Sequence, residues 1–224
     1  KLSLIWRNKW LYLILLPVIA FFLIFKYAPM YGIIIAFQDY NIFKGPFESE
    51  FWGLTTFRKV FGDSNFWSAI KNTLALNLIT LAATFPITIL VALMLNEVLS
   101  TKFKKLTQSV LYLPHFISWV VVAGIATNMF TQNGGTINLI LSKYGFSEIP
   151  FLSDEKWWTF TYVLLQAWKE VGWGTIIYLP ALTSVDESLY ESAYLDGATN
   201  LQRIWFITLP LIKSVVVTML ILQI

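Results

Sequence analysis

The sequence predicts an all-α integral membrane protein, folded as a polytopic helical bundle. Of its 224 residues, 57% are hydrophobic and only 13% are charged, whereas soluble domains carry about 25% charged residues. The aromatic share is 17%, and Trp and Tyr are typical of helix ends at the lipid headgroups. Long uncharged stretches recur along the chain, each close to the roughly 20 residues that cross a bilayer.

Five apolar stretches give the order of the predicted spans. They lie at about 9–31, within 72–96, at about 108–130, at about 157–182, and from about 210 onward. The first stretch exceeds a signal-peptide core and lacks a cleavage site of small residues, so we expect it to be retained. The fourth is interrupted by Lys169 and Glu170. The fifth carries no helix-stop signal, and we expect the chain to end inside it.

Lysine and arginine positions predict a cytoplasmic N-terminus. That orientation places eight of them inside, mostly in short segments, where the positive-inside rule gives them most weight. The eight are Lys1, Arg7, Lys9, Lys102, Lys104, Lys105, Arg203 and Lys213. Five lie outside, in two long loops: Lys44, Arg58, Lys59, Lys143 and Lys156. The segment 185–213 is then expected to face the cytoplasm.

Several classes of function are excluded by what the sequence lacks. Without cysteine, it forms neither a disulfide framework nor a thiolate metal site. His115 is the single histidine and cannot build a metal site alone. No G-x-x-x-x-G-K-[ST] loop for nucleotide phosphates is present, and a net charge of +3 is too small to indicate nucleic-acid binding.

The segment 184–213 has the pattern of two short helices joined at a glycine. Ser184 and Glu187 have the spacing of a capping box, which predicts a helix start. Gly197 can take a positive φ and end that helix. A second helix is expected from Thr199 or the next residue, and Pro210 ends or kinks it.

This pair of helices cannot bury its apolar stripe on its own. Two kinds of cover remain open from the pattern alone. One is a bilayer surface, on which the pair would lie as interfacial helices. The other is a groove on a partner protein.

Within this segment, three groups of residues resemble the EAA motif of binding-protein-dependent ABC importer permeases. They are Glu191-Ser192-Ala193, Asp196-Gly197-Ala198 and Ile207-Thr208-Leu209-Pro210. The family motif reads E-A-A, three residues, G, nine residues, I-x-L-P, and the spacing agrees at every step. Ser192 replaces the first alanine, a change between small residues. Stretches 65–74 and 10–40 are similar to the carbohydrate-uptake branch, which includes permeases for complex oligosaccharides and polysaccharide fragments in Gram-positive bacteria.

The resemblance implies the type I ABC importer permease (MetI-like) fold, with about five spans of an expected six. Residues 1–66 would be the N-terminal span and first outer loop. Residues 67–224 would be the permease core, truncated at its C-terminus. The implied setting is a bacterial plasma membrane, with a second permease subunit, a cytoplasmic ATPase dimer that binds ATP and Mg, a solute-binding protein outside, and a carbohydrate substrate. No cofactor is expected in this chain.

The resemblance also assigns the residues that couple transport to the ATPase. They are Glu191, Ser192, Ala193, Asp196, Gly197, Ala198, Leu209 and Pro210. Glu191 would attach the hairpin electrostatically, and Gly197 would form its turn. Leu209 and Pro210 would join it to the next span.

Polar groups inside the predicted spans are candidates for the substrate path. Charges at membrane depth are costly and usually face a cavity or a partner. Lys169 and Glu170 are neighbours on a helix, about 100° apart, so each is expected to need a different partner. The candidates are Trp168, Lys169, Glu170, Trp173, Asn128 and Gln166. The alternative is a structural ion pair to another helix or subunit, and His115 is expected to be a hydrogen-bonded structural residue.

Two other functions stay open at this stage. The same permease machinery could carry a non-sugar solute, because the EAA motif addresses the ATPase and not the cargo. An integral membrane enzyme acting on lipid-linked sugars would need paired carboxylates or a metal cluster. The outer-loop acids Asp39, Glu48, Glu50 and Asp63 show no catalytic spacing, so no catalytic residue is assigned.

Overall fold

A computed structural model describes residues 8–224. Lys1 and Arg7, two of the charges predicted to be cytoplasmic, lie outside the described residues. The chain divides into two compact units, with the boundary between Asn72 and Thr73, inside a long helix.

The first unit begins with one continuous helical stretch, Lys9–Phe37, of 29 residues. Its parts are α1 (Lys9–Phe22), a π-helical turn (Leu23–Tyr27), α2 (Ala28–Met30) and a 3₁₀ segment (Tyr31–Phe37). It is long and apolar enough to cross a bilayer, as predicted, and its helical backbone continues beyond the expected end near Tyr31.

A small hairpin follows this span. Strand β1 (Gln38–Asp39) pairs antiparallel with β2 (Glu50–Phe51), and α3 (Gly45–Glu48) lies between them. The side-chain amide of Gln38 donates a hydrogen bond of 2.8 Å to the Pro46 carbonyl and holds the loop closed. The sequence did not predict these strands, which are only two residues long. Helix α4 (Thr55–Gly62) completes the unit up to the long helix.

The second unit is built of helices. In order they are α5 (Ser64–Asn96, which starts in the first unit), α6 (Thr101–Tyr112), a 3₁₀ turn (Leu113–Phe116), α7 (Trp119–Phe130), α8 (Thr136–Lys143), α9 (Glu155–Thr183), α10 (Glu187–Leu195), α11 (Asn200–Arg203), a π-helical turn (Ile204–Thr208), α12 (Leu209–Leu211) and α13 (Lys213–Gln223).

By length and composition, two described helices can cross a membrane, Lys9–Phe37 and Ser64–Asn96, or up to four if each bent pair is one span. The predicted fourth span, α9, has 29 residues but is too polar for that set. Eight of its residues are buried within the chain. A helix in the interior of a bundle faces other helices rather than lipid, so it can carry polar groups there.

The third predicted span is not one helix. A continuous helix was expected over 108–130, but α6 and α7 meet at an angle of 98°. Pro114 has no N–H for a helical hydrogen bond, and Ile117 is extended, with φ −78° and ψ 131°. The hydroxyl of Ser118 then caps α7 by accepting from the Val121 N–H. The fifth span is also bent, by 68° between Leu211 and Lys213.

The hydrophobic core of the second unit joins three helices. One cluster contains five buried side chains: Ala92 of α5, Tyr178 and Leu182 of α9, Ile212 just before α13, and Met219 within α13. Burial of such side chains contributes about 25 cal/mol for each Å² of apolar surface removed from water. Where these helices face lipid instead of water, their association is stabilised mainly by close packing of side chains.

A second cluster holds the segment between α7 and α9. Ala126, Phe130 and Phe151 form its centre. Beside it, Asn138 of α8 is fully buried and makes three hydrogen bonds with the backbone. Its amide nitrogen donates to the carbonyls of Thr131 (3.2 Å) and Ile149 (2.9 Å), and its amide oxygen accepts from the Ile149 N–H (2.8 Å).

Candidate functional site

The first helix of the 184–213 hairpin begins two residues later than the sequence predicted. The predicted capping box at Ser184 is wrong, because the Ser184 hydroxyl donates to the Ala181 carbonyl at the end of α9 instead. Asp186 is the N-cap of α10, and its carboxylate accepts from the Ser188 N–H at 3.0 Å. That hydrogen bond lowers the pKa of the Asp186 carboxyl below its usual value.

The turn between the two helices is a Schellman motif centred on Gly197. Gly197 has φ +81°, a conformation that side chains with a Cβ rarely adopt. The Ala198 N–H donates to the Ala193 carbonyl at 2.9 Å, and the Gly197 N–H donates to the Tyr194 carbonyl at 3.0 Å. Both bonds satisfy carbonyls that the helix end leaves free. The predicted role of Gly197 as the turn residue is confirmed by this geometry.

The second helix begins where the sequence predicted. Thr199 is the N-cap of α11, and a reciprocal capping box with Gln202 holds this end. The backbone then passes through the π-helical turn to Leu209 and Pro210 in α12. The hydroxyls of Tyr190 and Thr208 lie 2.9 Å apart and connect the two arms of the hairpin.

The hairpin exposes apolar side chains beside acids. Leu195 is 85% exposed and Phe206 is 77% exposed, while Glu191, Ser192 and Asp196 are also exposed. Ala193 and Ala198 are half-buried at the turn. A shallow recess of about 310 Å³ lies at this turn, lined by Ala193, Asp196, Gly197, Ala198, Gln202, Arg203, Phe206 and Ile207.

Three of the six substrate-path candidates come together at the break in the third span. We call this region the span junction: residues 113–118 with Lys169, Glu170, Gly172 and Trp173 of α9. The Lys169 ammonium donates to the His115 carbonyl at 2.5 Å. The Glu170 carboxylate lies 2.9 Å from His115 Nδ1 and 3.5 Å from the Lys169 ammonium. Lys169 and Glu170 were expected to need different partners, yet both contact His115, through different groups.

Close packing accompanies these polar contacts. The imidazole of His115 stacks on the Trp173 ring, with centroids 4.4 Å apart and planes 3° from parallel. The Lys169 ammonium lies 5.5 Å from the Trp119 ring centroid, a distance at which a cation is attracted to a ring face. At Gly172 a Cβ would lie 2.0 Å from the Leu111 carbonyl oxygen, so only glycine allows α6 and α9 to approach this closely.

The other three candidates lie apart from the junction contacts. Trp168 is exposed, and Asn128 of α7 is also exposed. Gln166 is half-buried, and its side-chain oxygen is buried without a hydrogen-bond partner among the described residues. The sequence placed Asn128 on the third predicted span and the other five candidates on the fourth. It could not tell which of the six side chains are in contact.

Sequence reasoning missed three residues that organise these sites. The sequence did not predict the contacts that Gly172, Trp119 and Tyr190 make there. The sequence around Gly172 gives no sign that α6 approaches α9 closely at this position. The charged pair at mid-span was the one available signal, since an intramembrane ionisable residue usually has a specific partner.

Residues 84–224 match the family described as "Binding-protein-dependent transport system inner membrane component". The chain belongs to this family. It is thus a permease subunit of an ABC importer and a membrane protein, and the MetI-like fold that the EAA motif implied is confirmed. Within residues 8–224, no group of three or more His, Cys, Asp or Glu side chains is placed to hold a metal ion.

Two relatives of this permease come from Bacillus subtilis (strain 168). The "Polygalacturonan/rhamnogalacturonan transport system permease protein YteP" is 49% identical over 218 residues, covering 97% of this chain and 68% of that protein. "Protein LplB" is 44% identical over 218 residues, covering 97% of this chain and 69% of that protein. The first of these two relatives is named as a transport-system permease.

Solved structures of a bacterial ABC transporter for alginate, an acidic polysaccharide, contain a similar chain. It superposes with a TM-score of 0.87 at 41% identity, covering 99% of this permease and 74% of that chain. A second structure of an alginate transporter, in complex with an alginate pentasaccharide-bound periplasmic protein, gives a TM-score of 0.86 at 41% identity and covers 73% of its chain. The similarity spans both units of the permease.

Proposed function

We propose that this permease forms the path by which an oligosaccharide or polysaccharide fragment enters the cell, with acidic sugars as the first to be tested. The observation that carries this proposal is the 49% identity with a polygalacturonan/rhamnogalacturonan permease over nearly the whole chain. The similarity to a transporter of alginate points to the same class of substrate.

The 184–213 hairpin is proposed to receive work from a separate ATPase, which binds ATP and Mg. Its exposed apolar side chains and the acids beside them suit a groove on a protein rather than the headgroup region. The four acids of the segment (Asp186, Glu187, Glu191 and Asp196) outnumber its two basic residues, Arg203 and Lys213, so anionic lipid would repel it. Glu191 is proposed to attach the hairpin electrostatically, and Leu209 and Pro210 to carry its movement into the next span.

The remaining partners and the orientation are part of the same proposal. A second permease subunit would complete the path, and an extracytoplasmic solute-binding protein would deliver the sugar. A periplasmic protein is present in one of the alginate transporter complexes. The N-terminus is proposed to lie in the cytoplasm of a bacterial cell, with residues 1–66 as a first span and outer loop preceding the core at 67–224.

We propose Trp168, Gln166 and Trp173 of α9 and Asn128 of α7 as lining of the substrate path. Gln166 and Trp173 share one face of α9, whereas Trp168 lies about 160° around the helix from Gln166. Ring faces stack on sugars, and both tryptophans are more than one third exposed. The side-chain oxygen of Gln166 is buried without a hydrogen-bond partner among the described residues, and it is proposed to accept from a sugar hydroxyl when the path opens. Lys169 and Glu170 belong to the same region, beside Trp168 and Trp173 in the chain.

Copurification from the native membrane tests the assembly. The tagged permease should bring down an ATPase and a second permease, and the reconstituted complex should take up labelled oligogalacturonides or alginate oligosaccharides. Glu191→Ala should weaken retention of the ATPase about fivefold to tenfold, since a charge at a protein interface contributes on this scale. Glu155→Ala, at the opposite end of α9 from the hairpin, is the control. A complex that lacks any ATPase, or that transports amino acids but no oligosaccharide, would contradict the proposal.

A further inference from the structure

The break between α6 and α7 leaves backbone groups without helical partners. In a continuous helix the His115 carbonyl would accept from the N–H four residues later. Here Ser118 begins a new helix, so that hydrogen bond is lost. At membrane depth an unsatisfied carbonyl is costly, and a broken span persists only where other groups replace the missing bonds.

Lys169 supplies the replacement from α9. Its side chain is 6% exposed, and its ammonium donates to the His115 carbonyl at the end of the first helical segment. A positive charge is stabilised at that end of a helix by the helix dipole. Glu170 offsets the buried charge at 3.5 Å and fixes the imidazole of His115, which leaves the ring flat on Trp173.

The contacts of Lys169 leave it little capacity for a ligand. Its ammonium has three donors. One reaches the His115 carbonyl, one faces the Glu170 carboxylate, and the Trp119 ring lies on the remaining side. A group held in this way is suited to fixing the backbone around it, not to exchanging partners with a passing sugar.

We propose that Lys169 and Glu170 are positioning residues that hold the bend in the third span and thereby set the direction of α7. Helix α7 carries Asn128 and Trp119, so the two charges act on the path through the bend rather than by touching substrate. This inference rests on the proposed function only in placing α7 beside the sugar path.

A double-mutant cycle tests whether Glu170 acts through His115. Glu170→Gln and His115→Gln are each expected to lower the uptake rate about tenfold in the reconstituted complex, and the double variant should be no slower than the slower single variant. Both changes are close in size to the native side chains, which keeps packing disturbance small. If the two losses multiply, Glu170 acts independently of His115 and the inference is wrong.

A second series separates positioning from recognition of charge. Lys169→Met is expected to lower uptake of an alginate oligosaccharide and of a neutral oligosaccharide of equal length by the same factor, about tenfold. Lys169→Arg should recover part of both rates, because a guanidinium can still donate to the His115 carbonyl. Lys143→Met, an exposed lysine at the end of α8, is the matched control. A loss confined to the acidic sugar would assign Lys169 to substrate binding and overturn the inference.

Hydrogen exchange distinguishes failure of this inference from failure of the proposed function. In the purified complex without substrate, Lys169→Met and Glu170→Gln should speed exchange at amides 116–119 and leave the 184–213 hairpin unchanged. Faster exchange in a complex that transports no oligosaccharide would leave the positioning role intact and reject the proposed substrate. Unchanged exchange at 116–119 in both variants would reject the positioning role, whatever is transported.

Discussion

The turn at Gly197 and the bend at 113–118 both change the direction of a helix, but they are held in different ways. The turn depends on backbone hydrogen bonds that span at most five residues, from Ala193 to Ala198. The bend depends on side chains that lie 54 and 55 residues away in the chain, Lys169 and Glu170. A local turn keeps its shape when its surroundings move, whereas the bend exists only while α9 is in contact.

This difference fits the two proposed roles. A hairpin that transmits force to a span must stay rigid while it moves. Hydrogen bonds among its own residues, which do not depend on contacts with other helices, provide that rigidity. The span junction is a contact between helices, so it can respond to any change in how those helices pack. Three substitutions should separate the two regions, from the largest expected effect to the smallest.

Gly197→Val should lower uptake about tenfold or more while ATP hydrolysis continues, because a residue with a Cβ at this φ costs roughly 1–2 kcal/mol. The turn would relax into another shape and no longer transmit movement. Uptake and ATP hydrolysis are measured together in proteoliposomes.

The matched control for this substitution is Gly145→Val. Gly145 has the same φ of +81°, and the same pair of hydrogen bonds closes its turn: the Gly145 N–H donates to the Ser142 carbonyl and the Phe146 N–H donates to the Leu141 carbonyl. Open space surrounds both glycines. The control should keep its normal uptake for each ATP hydrolysed, and equal uncoupling in the two variants would show that Gly197 has no special role.

Gly172→Ala should destabilise the permease by about 1–3 kcal/mol, as overpacking of a well-packed site does. The added methyl would meet the backbone of Leu111 at 2.0 Å, and backbone cannot move aside as a flexible side chain can. Gly124→Ala in α7 is the control, since no atom lies within 4 Å of its added Cβ. Thermal unfolding in nanodiscs compares the two, and equal midpoints would mean that α6 and α9 are not in tight contact.

Asp186 should give the smallest effect, visible only in acid. Because its pKa is lowered in the folded hairpin, the ionised cap stabilises α10 at pH values above the ordinary 3.8. This contribution is lost as the pH falls further, through the lowered pKa. The protection of the amides at 188–190, measured against their intrinsic exchange rates at each pH, should therefore fall below about pH 4 in the native chain. Asp186→Asn keeps a capping oxygen without the charge, and its exchange should show no such acid step.

The sequence predicted the local parts of the fold better than the distant ones. Gly197 and Thr199 were placed correctly because each acts on its own stretch of backbone. The helix start at Ser184 was placed two residues early. A hydroxyl and a carboxylate, those of Ser184 and Asp186, are both suited to cap this helix. Ser184 bonds back to α9, which leaves Asp186 as the cap.

The span junction could not be predicted for a different reason. Pro114 lies inside the predicted third span, but a proline alone does not predict a break. Prolines within membrane helices are often tolerated, as Pro17 and Pro86 are here. What decides the outcome is whether a distant donor can satisfy the freed carbonyl. That information lies in the contact between Lys169 and His115, and periodicity along one segment does not contain it.

Asn138 ties three stretches of chain together with one amide, and this makes the segment from Thr131 to Ile149 a single stiff body. Its nitrogen must face two carbonyls while its oxygen faces an N–H, so aspartate would turn an attraction into a repulsion and leucine would leave all three groups bare. A displacement of this segment is consequently transmitted to the end of α7, where Thr131 follows the last residue of the helix.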